Sequence, residues 1–434
     1  MKVDAQQFTD QGFIILRNVV PPERLQRMRL TIELLVDRQK ALSATERTGD
    51  IPLGGDWYQS AQPRVNLDQV VDADTREAIE FCLGDNTMGV SRRIMQADCA
   101  PTEMQVSCSS IVDHGYTDWH RDSSAAEQTP LSGLQMDLLD NRPGYVQWNI
   151  ALYDDDVFWV VPGSHRRGDN EQERKQLLLD PRVPLPDGQV VDLKAGDGIV
   201  YTNLIMHWGS FYSSRMRRTI HLGYRSFGGD IFPYCHHFEW DSALGFARHL
   251  SPGARALFEG FVQRFAQERD CIEAVLRNIL DQDAEVFKES LARLHPGARQ
   301  RMTTVVLLAR LADKIHLLHT PGVAAMSRVQ QEQAVAGPSH HDFHFDLGAR
   351  FSMAEAETLK RRFAPLSERL QGDGDKVHAH YAGVLAELKP DAPVPNFESR
   401  PLRTFHTEMP ANFDLDEFLR SWNESPPIKG PHDE

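Results

Sequence analysis

The feature that most constrains this chain is His120-Arg121-Asp122, followed far downstream by His207. Along an extended strand successive side chains alternate faces, so His120 and Asp122 project together while Arg121 points away. Two imidazoles and one carboxylate on one side of a metal, with further positions open, suit a non-haem ferrous ion; neither ligand type is soft enough to favour copper(I) or an iron–sulfur cluster. A ligand from position 207 can join one from position 120 only if strands distant in sequence lie side by side, which a barrel or a double-sheet jelly roll provides. The expected fold class is α+β: flanking helices around a barrel or a double-sheet core (a jelly roll, or double-stranded β-helix), followed by a mainly α-helical C-terminal region.

Local patterns support that expectation. Met104–Val112 suits a strand, and Gly198–Met206 is a β-branched, apolar run preceded by the turn signal Lys194-Ala-Gly-Asp197. His207 is expected at the end of that run. The next strand runs from Arg217 to Arg225, where Arg218 shares a face with Ile220, Leu222 and Tyr224. An arginine on an apolar face is costly unless paired. A dicarboxylic acid beside the metal would pair it as a planar two-point fork; an ion pair with a protein carboxylate is the structural alternative. A chain with 18 histidines produces His-x-Asp pairs by chance, and His344-Phe345-Asp346 is one, read here as a polar surface loop. The His120 set differs because four elements agree in order and context.

With those residues in hand, the N-terminal half resembles the phytanoyl-CoA dioxygenase family of Fe(II)/2-oxoglutarate oxygenases. The matching segments are Phe8-Thr-Asp-Gln-Gly-Phe-Ile-Ile-Leu-Arg-Asn-Val19, Asp118-Trp-His-Arg-Asp122, Val146–Leu152, Val160-Val-Pro-Gly-Ser-His-Arg-Arg-Gly168, and His207 through Arg218. The resemblance implies that His120, Asp122 and His207 bind Fe(II) and carry catalysis, and that Arg218 holds the far carboxylate of 2-oxoglutarate. It also implies that Trp148 lines the co-substrate pocket. A serine is expected two positions after the distal histidine, where this chain has Gly209; Thr202 or Ser210 is then the candidate hydroxyl donor. After Leu152 the family shows an Asn-Gly pair, whereas this chain reads Tyr153-Asp-Asp-Asp-Val-Phe-Trp-Val160. Ser123–Gly133 reads as a turn-rich loop over the site. The implied activity is hydroxylation of an unactivated C–H bond of a small molecule, with 2-oxoglutarate and O2 converted to succinate and CO2. The same iron centre could instead end in desaturation, demethylation or ring rearrangement, and a non-catalytic jelly-roll binding protein is the competing class.

Composition narrows the partners. The 434-residue chain carries a formal net charge of −15, which argues against a sequence-independent grip on nucleic acid or a basic membrane-surface patch. No apolar run is long enough to span a membrane, and the N-terminus lacks the apolar segment of a signal peptide. Five scattered cysteines without CxxC spacing suggest a reducing compartment, and a cytoplasmic enzyme is expected.

At this length two domains are expected: an oxygenase domain over 1–240 and a helical C-terminal domain over 241–434. Ser251-Pro-Gly-Ala opens a helix with Leu257, Phe261 and Phe265 along one face; Ala284–Leu294 and Gln300–Leu318 continue the period, and Ser352-Met-Ala-Glu355 is a capping-box pattern. Val377–Leu388 reads as a further helix. The apolar stripes read as the region's own core, with a lid over the substrate pocket or a homo-oligomer surface as the functional roles open to it. His316 and His319 read as ordinary histidines, since no third ligand follows at helical spacing.

Overall fold

The structure, a computed structural model, describes residues 1–46, 49–122, 131–227, 244–281, 283–294, 302–336, 347–391, 417 and 420. Residues 123–130 of the expected active-site loop, Cys235, the His344-Phe345-Asp346 pair and the tail from Glu424 lie outside the described residues.

Eleven strands are described: β1 (Phe13–Leu16), β2 (Arg64–Asn66), β3 (Cys99–Cys108), β4 (Gly115–Tyr116), β5 (Tyr145–Ala151), β6 (Trp159–Val160), β7 (Gln189–Val190), β8 (Gly198–Tyr201), β9 (His207–Trp208), β10 (Ser210–Phe211) and β11 (Arg218–Ser226). Six form one antiparallel sheet in the order β1-β8-β5-β11-β3-β2. A three-stranded sheet runs β7-β6-β9, and β10 pairs with β4.

The large sheet is sorted by strand alternation into two unlike faces. Leu222 stands between Trp148 and Met104, and Ile220 between Ile150 and Val106. These six side chains are buried with Met28, Ile32 and Leu35 of helix α2 (Pro22–Ser43), forming the rear core. Helix α2 forms there because its apolar residues recur at helical spacing and Pro22 sits in the first turn, where a missing N–H costs nothing. On the front face the corresponding positions are Gln105, Gln147, Asn149 and His221 across the middle strands, giving way to Ala151, Ile199 and Tyr201 toward β8. The apolar part of this face packs on Phe158, Val160, Val191 and Leu193 of the small sheet. The polar part is left facing a cavity.

The N-terminus is tied to the small sheet by two of the segments singled out in the sequence. Helix α1 (Ala5–Gln11) ends at Gly12, whose φ of +83° suits glycine and whose absent Cβ would fall 2.6 Å from His165 Nδ1. Gly163 N–H donates to Gln11 O at 3.0 Å, and His165 Nε2 lies 2.9 Å from Thr9 O. Asp-Gln-Gly and Pro-Gly-Ser-His therefore meet as a structural lock.

The helical portion shares the rear core. Phe258, Phe261, Phe265, Ile272 and Leu276 of the Pro252–Leu280 helix belong to the same contiguous buried cluster as β3, β5 and β11. Phe258 takes the buried position and Leu257 stays exposed at 39 %, one residue off the expected stripe. Arg225 pairs with Glu268, and Ser251 N–H donates to Glu80 at 2.8 Å. The expected capping box at Ser352 and Glu355 is present, and it starts a helix that runs without a break from Met353 to Leu388. Its last turns pack Tyr381, Val384 and Leu385 against Trp119 and Trp208, on the outer side of the small sheet. The last three residues of the expected Ser123–Gly133 loop instead open a helix, Leu131–Asn141. Among the described residues no helix is long and apolar enough to cross a membrane.

Candidate metal centre

The segment after β4 runs beside β9. Thr117 N–H donates to Gly209 O at 3.0 Å, and His120 and His207 exchange both backbone hydrogen bonds at 2.9 Å. This is a directly opposed antiparallel pair, so the two imidazoles leave the ladder on the same side. Their neighbours Trp119 and Trp208 leave on the other side and stack at 4.8 Å. His207 opens β9 and does not end the 198–206 run as expected: that run leaves the large sheet after Tyr201, turns through Thr202–Ile205, and re-enters on the small sheet.

Asp122 is placed by its N–H donating to Asn203 O at 2.9 Å. Its two carboxylate oxygens lie 3.3 Å from His120 Nε2 and 3.3 Å from His207 Nε2. The three candidate ligand atoms all fall within 4.8 Å of one another. Both imidazoles are oriented from behind: His120 Nδ1 is 2.7 Å from Asp118 O, and His207 Nδ1 is 2.9 Å from Ile205 O. A carbonyl can only accept, so each Nδ1 carries a proton and each Nε2 is the ring atom turned toward Asp122. This is the outer-shell arrangement that fixes the tautomer of a metal-ligating histidine. Gln147 Nε2 donates to Asp122 at 3.0 Å.

Arg121 does point away. It is buried against Asp169 at 2.7 Å, and donates to Leu204 O at 3.1 Å and Ser164 O at 3.3 Å, so it pins the triad loop to the Pro-Gly-Ser-His turn. Electrostatics keep the triad acid ionised. Burial works to raise the Asp122 carboxyl, but His207 and His120 outweigh it and hold it well below the usual carboxylate range. Burial likewise works to lower the His120 imidazole, and the hydrogen bond and charge of Asp122 bring it to a raised value. The nearby Tyr201 phenol is pushed up by burial, then by the charges of Asp122 and Glu103, and stays protonated.

The triad opens on a cavity of about 260 Å³. Its wall from the large sheet is polar: Arg64, Glu103, Gln147, Asn149 and His221, with Gln62 at the edge. His221 Nδ1 is 2.9 Å from Asn149 Oδ1 and its Nε2 is 3.1 Å from Glu103. Phe158, Tyr201 and Phe211 supply the aromatic surface.

The residues proposed from sequence divide at this point. His120, Asp122 and His207 come together. Arg218 does not line the cavity: its Nε and Nη2 bind Glu33 of α2 at 2.8 and 3.1 Å. It shares a face with Ile220 and Leu222 as expected, but that face is the rear one. Arg217, one residue earlier, lines the cavity instead. Trp148 is also on the rear face, fully buried, with Nε1 donating to Ser91 Oγ at 2.9 Å. Thr202 and Ser210 are buried and absent from the lining, whereas Gly209 between β9 and β10 is part of it. Missed from sequence were Arg217, Glu103, Gln147, Asn149, Tyr201 and His221. Their signal was the polar alternation Gln147-Trp148-Asn149-Ile150, which ordinarily marks a solvent-facing side.

The family model for phytanoyl-CoA dioxygenase (PhyH) matches residues 8–219, just under half of the chain. No curated protein matches. Among solved structures, AviO1 from Streptomyces viridochromogenes is 19% identical, covering 54% of this chain and 100% of its own, with a TM-score of 0.38. EctD from S. alaskensis, solved with 2-oxoglutarate and 5-hydroxyectoine, is 14% identical over 52% of this chain and 76% of its own, at 0.39. HygX from Streptomyces hygroscopicus, solved with nickel and 2-oxoglutarate, is 15% identical over 52% and 88%, at 0.38. The segment from residue 8 to residue 219, which contains His120, Asp122 and His207, is similar to the phytanoyl-CoA dioxygenase (PhyH) family.

Proposed function

We propose that this chain is an Fe(II)/2-oxoglutarate-dependent oxygenase that hydroxylates a C–H bond of a small, polar molecule. The observation that carries this reading is the triad itself: two Nε2 atoms and one ionised carboxylate, fixed from behind and converging at a cavity. The donor set fits a ferrous ion, with His120, Asp122 and His207 as its ligands. Iron(II) there, with 2-oxoglutarate and O2, would supply the oxidation, converting the co-substrate to succinate and CO2.

The protein's own part is positioning. Two arginines line the cavity, Arg64 and Arg217; Arg64 is exposed and spends its guanidinium on Gln62 and Gln105, so we assign Arg217, in place of Arg218, to the far carboxylate of 2-oxoglutarate. Gln147 steadies Asp122, and Phe158 and Tyr201 shield the His207 ring at 5.4 and 5.5 Å. The wall of Glu103, Asn149, His221 and Arg64 offers hydrogen-bonding groups opposite the aromatic surface of Phe158, Tyr201 and Phe211, a mixed lining that suits a compact polar molecule better than a long acyl chain. A hydrogen-bonding small molecule is therefore the substrate class this cavity suits.

The two facing sheets are read as the halves of a double-stranded β-helix, with 1–240 as the oxygenase unit and 241–434 as its helical support. The test is succinate formation by the purified chain with Fe(II), 2-oxoglutarate, ascorbate and O2, alongside 2-oxoglutarate binding to the Fe(II)-loaded protein. Slow uncoupled turnover, lost in His120→Ala, is the expected result. Absence of both turnover and 2-oxoglutarate binding would remove the oxygenase reading.

A further inference from the structure

Arg217 is an unusual arginine. Its side chain is 12 % exposed, and its partner Asp155 is 6 % exposed. Only one edge of the guanidinium is engaged: Nε donates to Asp155 Oδ2 at 2.8 Å. Among the described residues, Nη1 and Nη2 make no hydrogen bond, and the residue lines the cavity. A buried guanidinium with its two-pronged edge free and turned to a cavity is built to receive a carboxylate.

What holds that edge in place is Asp155, and Asp155 is itself held on every side. Its backbone pairs with Leu193 in both directions at 2.9 Å. Its Oδ1 accepts from Val157 N–H at 3.1 Å, and its Oδ2 accepts from Thr219 Oγ at 2.9 Å as well as from Arg217. The carboxylate has no freedom left, so the guanidinium bonded to it has little. Asp155 lies in Tyr153-Asp-Asp-Asp-Val157, the stretch where this chain departs from the Asn-Gly pattern of the family it resembles. Burial would raise the Asp155 carboxyl, but Arg217 and the surrounding donors hold it below its usual value, so the pair is ionised.

We propose that Asp155 is a positioning residue for co-substrate selection: braced by Thr219 and Val157, it fixes Arg217 so that its free edge admits a 2-oxo dicarboxylic acid and disfavours a monocarboxylic one. This rests on the oxygenase reading and deepens it. The alternative role, a plain ion pair, predicts the opposite effect when the charge is removed. A fixed negative charge beside Arg217 weakens its pull on an incoming anion, so a plain pair, once broken, would leave the arginine binding dicarboxylates more tightly. A positioning residue, once lost, leaves it binding them less selectively.

The test uses the full-length, Ni(II)-loaded protein and calorimetric titration with two probes, 2-oxoglutarate and 2-oxopentanoate, which differ in the far carboxylate. The quantity read is the ratio of their dissociation constants. Arg217→Gln should bring that ratio close to one, a loss of roughly 100-fold for a bidentate charged contact. Asp155→Asn should lower the ratio by about tenfold while 2-oxopentanoate binding stays constant, which also shows that the fold and metal site are intact. Thr219→Val, which leaves the aspartate charge in place, should lower it by a smaller factor and serves if the Asp155 variant does not fold. Arg218→Gln should leave it unchanged. A ratio that rises in Asp155→Asn, or one that collapses in Arg218→Gln and not in Arg217→Gln, overturns the proposal. A ratio near one in the unmodified protein would instead remove the oxygenase reading, and this inference with it.

Discussion

The two faces of the large sheet obey the same alternation and live under different rules. On the rear, Trp148, Ile150, Ile220 and Leu222 are fully buried among helices, and every one is apolar or has its polar atom satisfied. On the front, the neighbours of those residues make polar bonds of their own: Gln147 to Asp122, Thr219 to Asp155, and His221 to Asn149. The rear face is paid for by dispersion and water release, and the front face by polar partners. A change at residue n should therefore have a different kind of consequence from one at n+1.

That contrast can be broken most directly at adjacent positions. Trp148→Ala should cost about 3–5 kcal/mol in denaturant unfolding, because it removes a fully buried ring and the hydrogen bond that Ser91 Oγ accepts. Asn149→Ala, one residue on, should cost no more than about 1 kcal/mol, since His221 keeps Glu103. Equal losses would show that the cavity wall is load-carrying core and not a prepared surface.

The next effect is on pH dependence. Burial, outweighing the Thr9 carbonyl, pushes the His165 imidazole from 6.5 down to about 4. Above pH ~6.5 this histidine is neutral in both folded and unfolded chains and contributes nothing. As pH falls from there toward 4 the unfolded chain gains a proton that the folded chain refuses, so stability falls, by up to about 3 kcal/mol. Unfolding free energies from pH 7.5 to 4 should show that slope, and His165→Gln should flatten it. No change in slope would mean that the N-terminal lock opens without cost.

Metal should act on the front face alone. Ni(II) at 100 times its dissociation constant should raise stability by about 2.7 kcal/mol, and His207→Ala should abolish the rise while Trp148→Ala keeps it. The smallest effect concerns Arg218. Replacing it with Gln breaks an ion pair in which Arg218 is buried and Glu33 partly exposed, and should cost about 1–2 kcal/mol, with nickel binding unchanged. Loss of metal-dependent stabilisation in that variant would contradict the assignment of residue 218 to the rear face.

How much of this was legible in the sequence follows from the same two faces. The triad was legible because a His-x-Asp spacing on an extended segment has one geometric outcome, and because His207 is followed by a strand. The capping box at Ser352 was legible because it depends on four consecutive residues only. Arg218 was not: its strand face was read correctly, but which face meets the cavity depends on the pairing of β11 with β3 and β5, and no local pattern carries that. Trp148 went astray for the same reason. Glu103, Asn149 and His221 looked like the solvent side of an ordinary strand because a polar cavity wall and a wet surface share one pattern. The helical stripe slipped by one residue at Leu257 and Phe258, where two adjacent apolar side chains left the phase open to tertiary packing.

One contact has a kinetic consequence. Trp119 and Trp208, which flank two of the three triad residues, are covered from outside by Leu385 near the end of the Met353–Leu388 helix. That places the backing of the His120–His207 strand pair on a helix far downstream, in a contact of very long sequence separation. Closing so large a loop adds little to the equilibrium cost, which grows only logarithmically, but such contacts form late. On a ribosome, therefore, the triad residues emerge long before the helix that braces the tryptophans behind them. The bracing of the His120–His207 pair is then a late event of assembly.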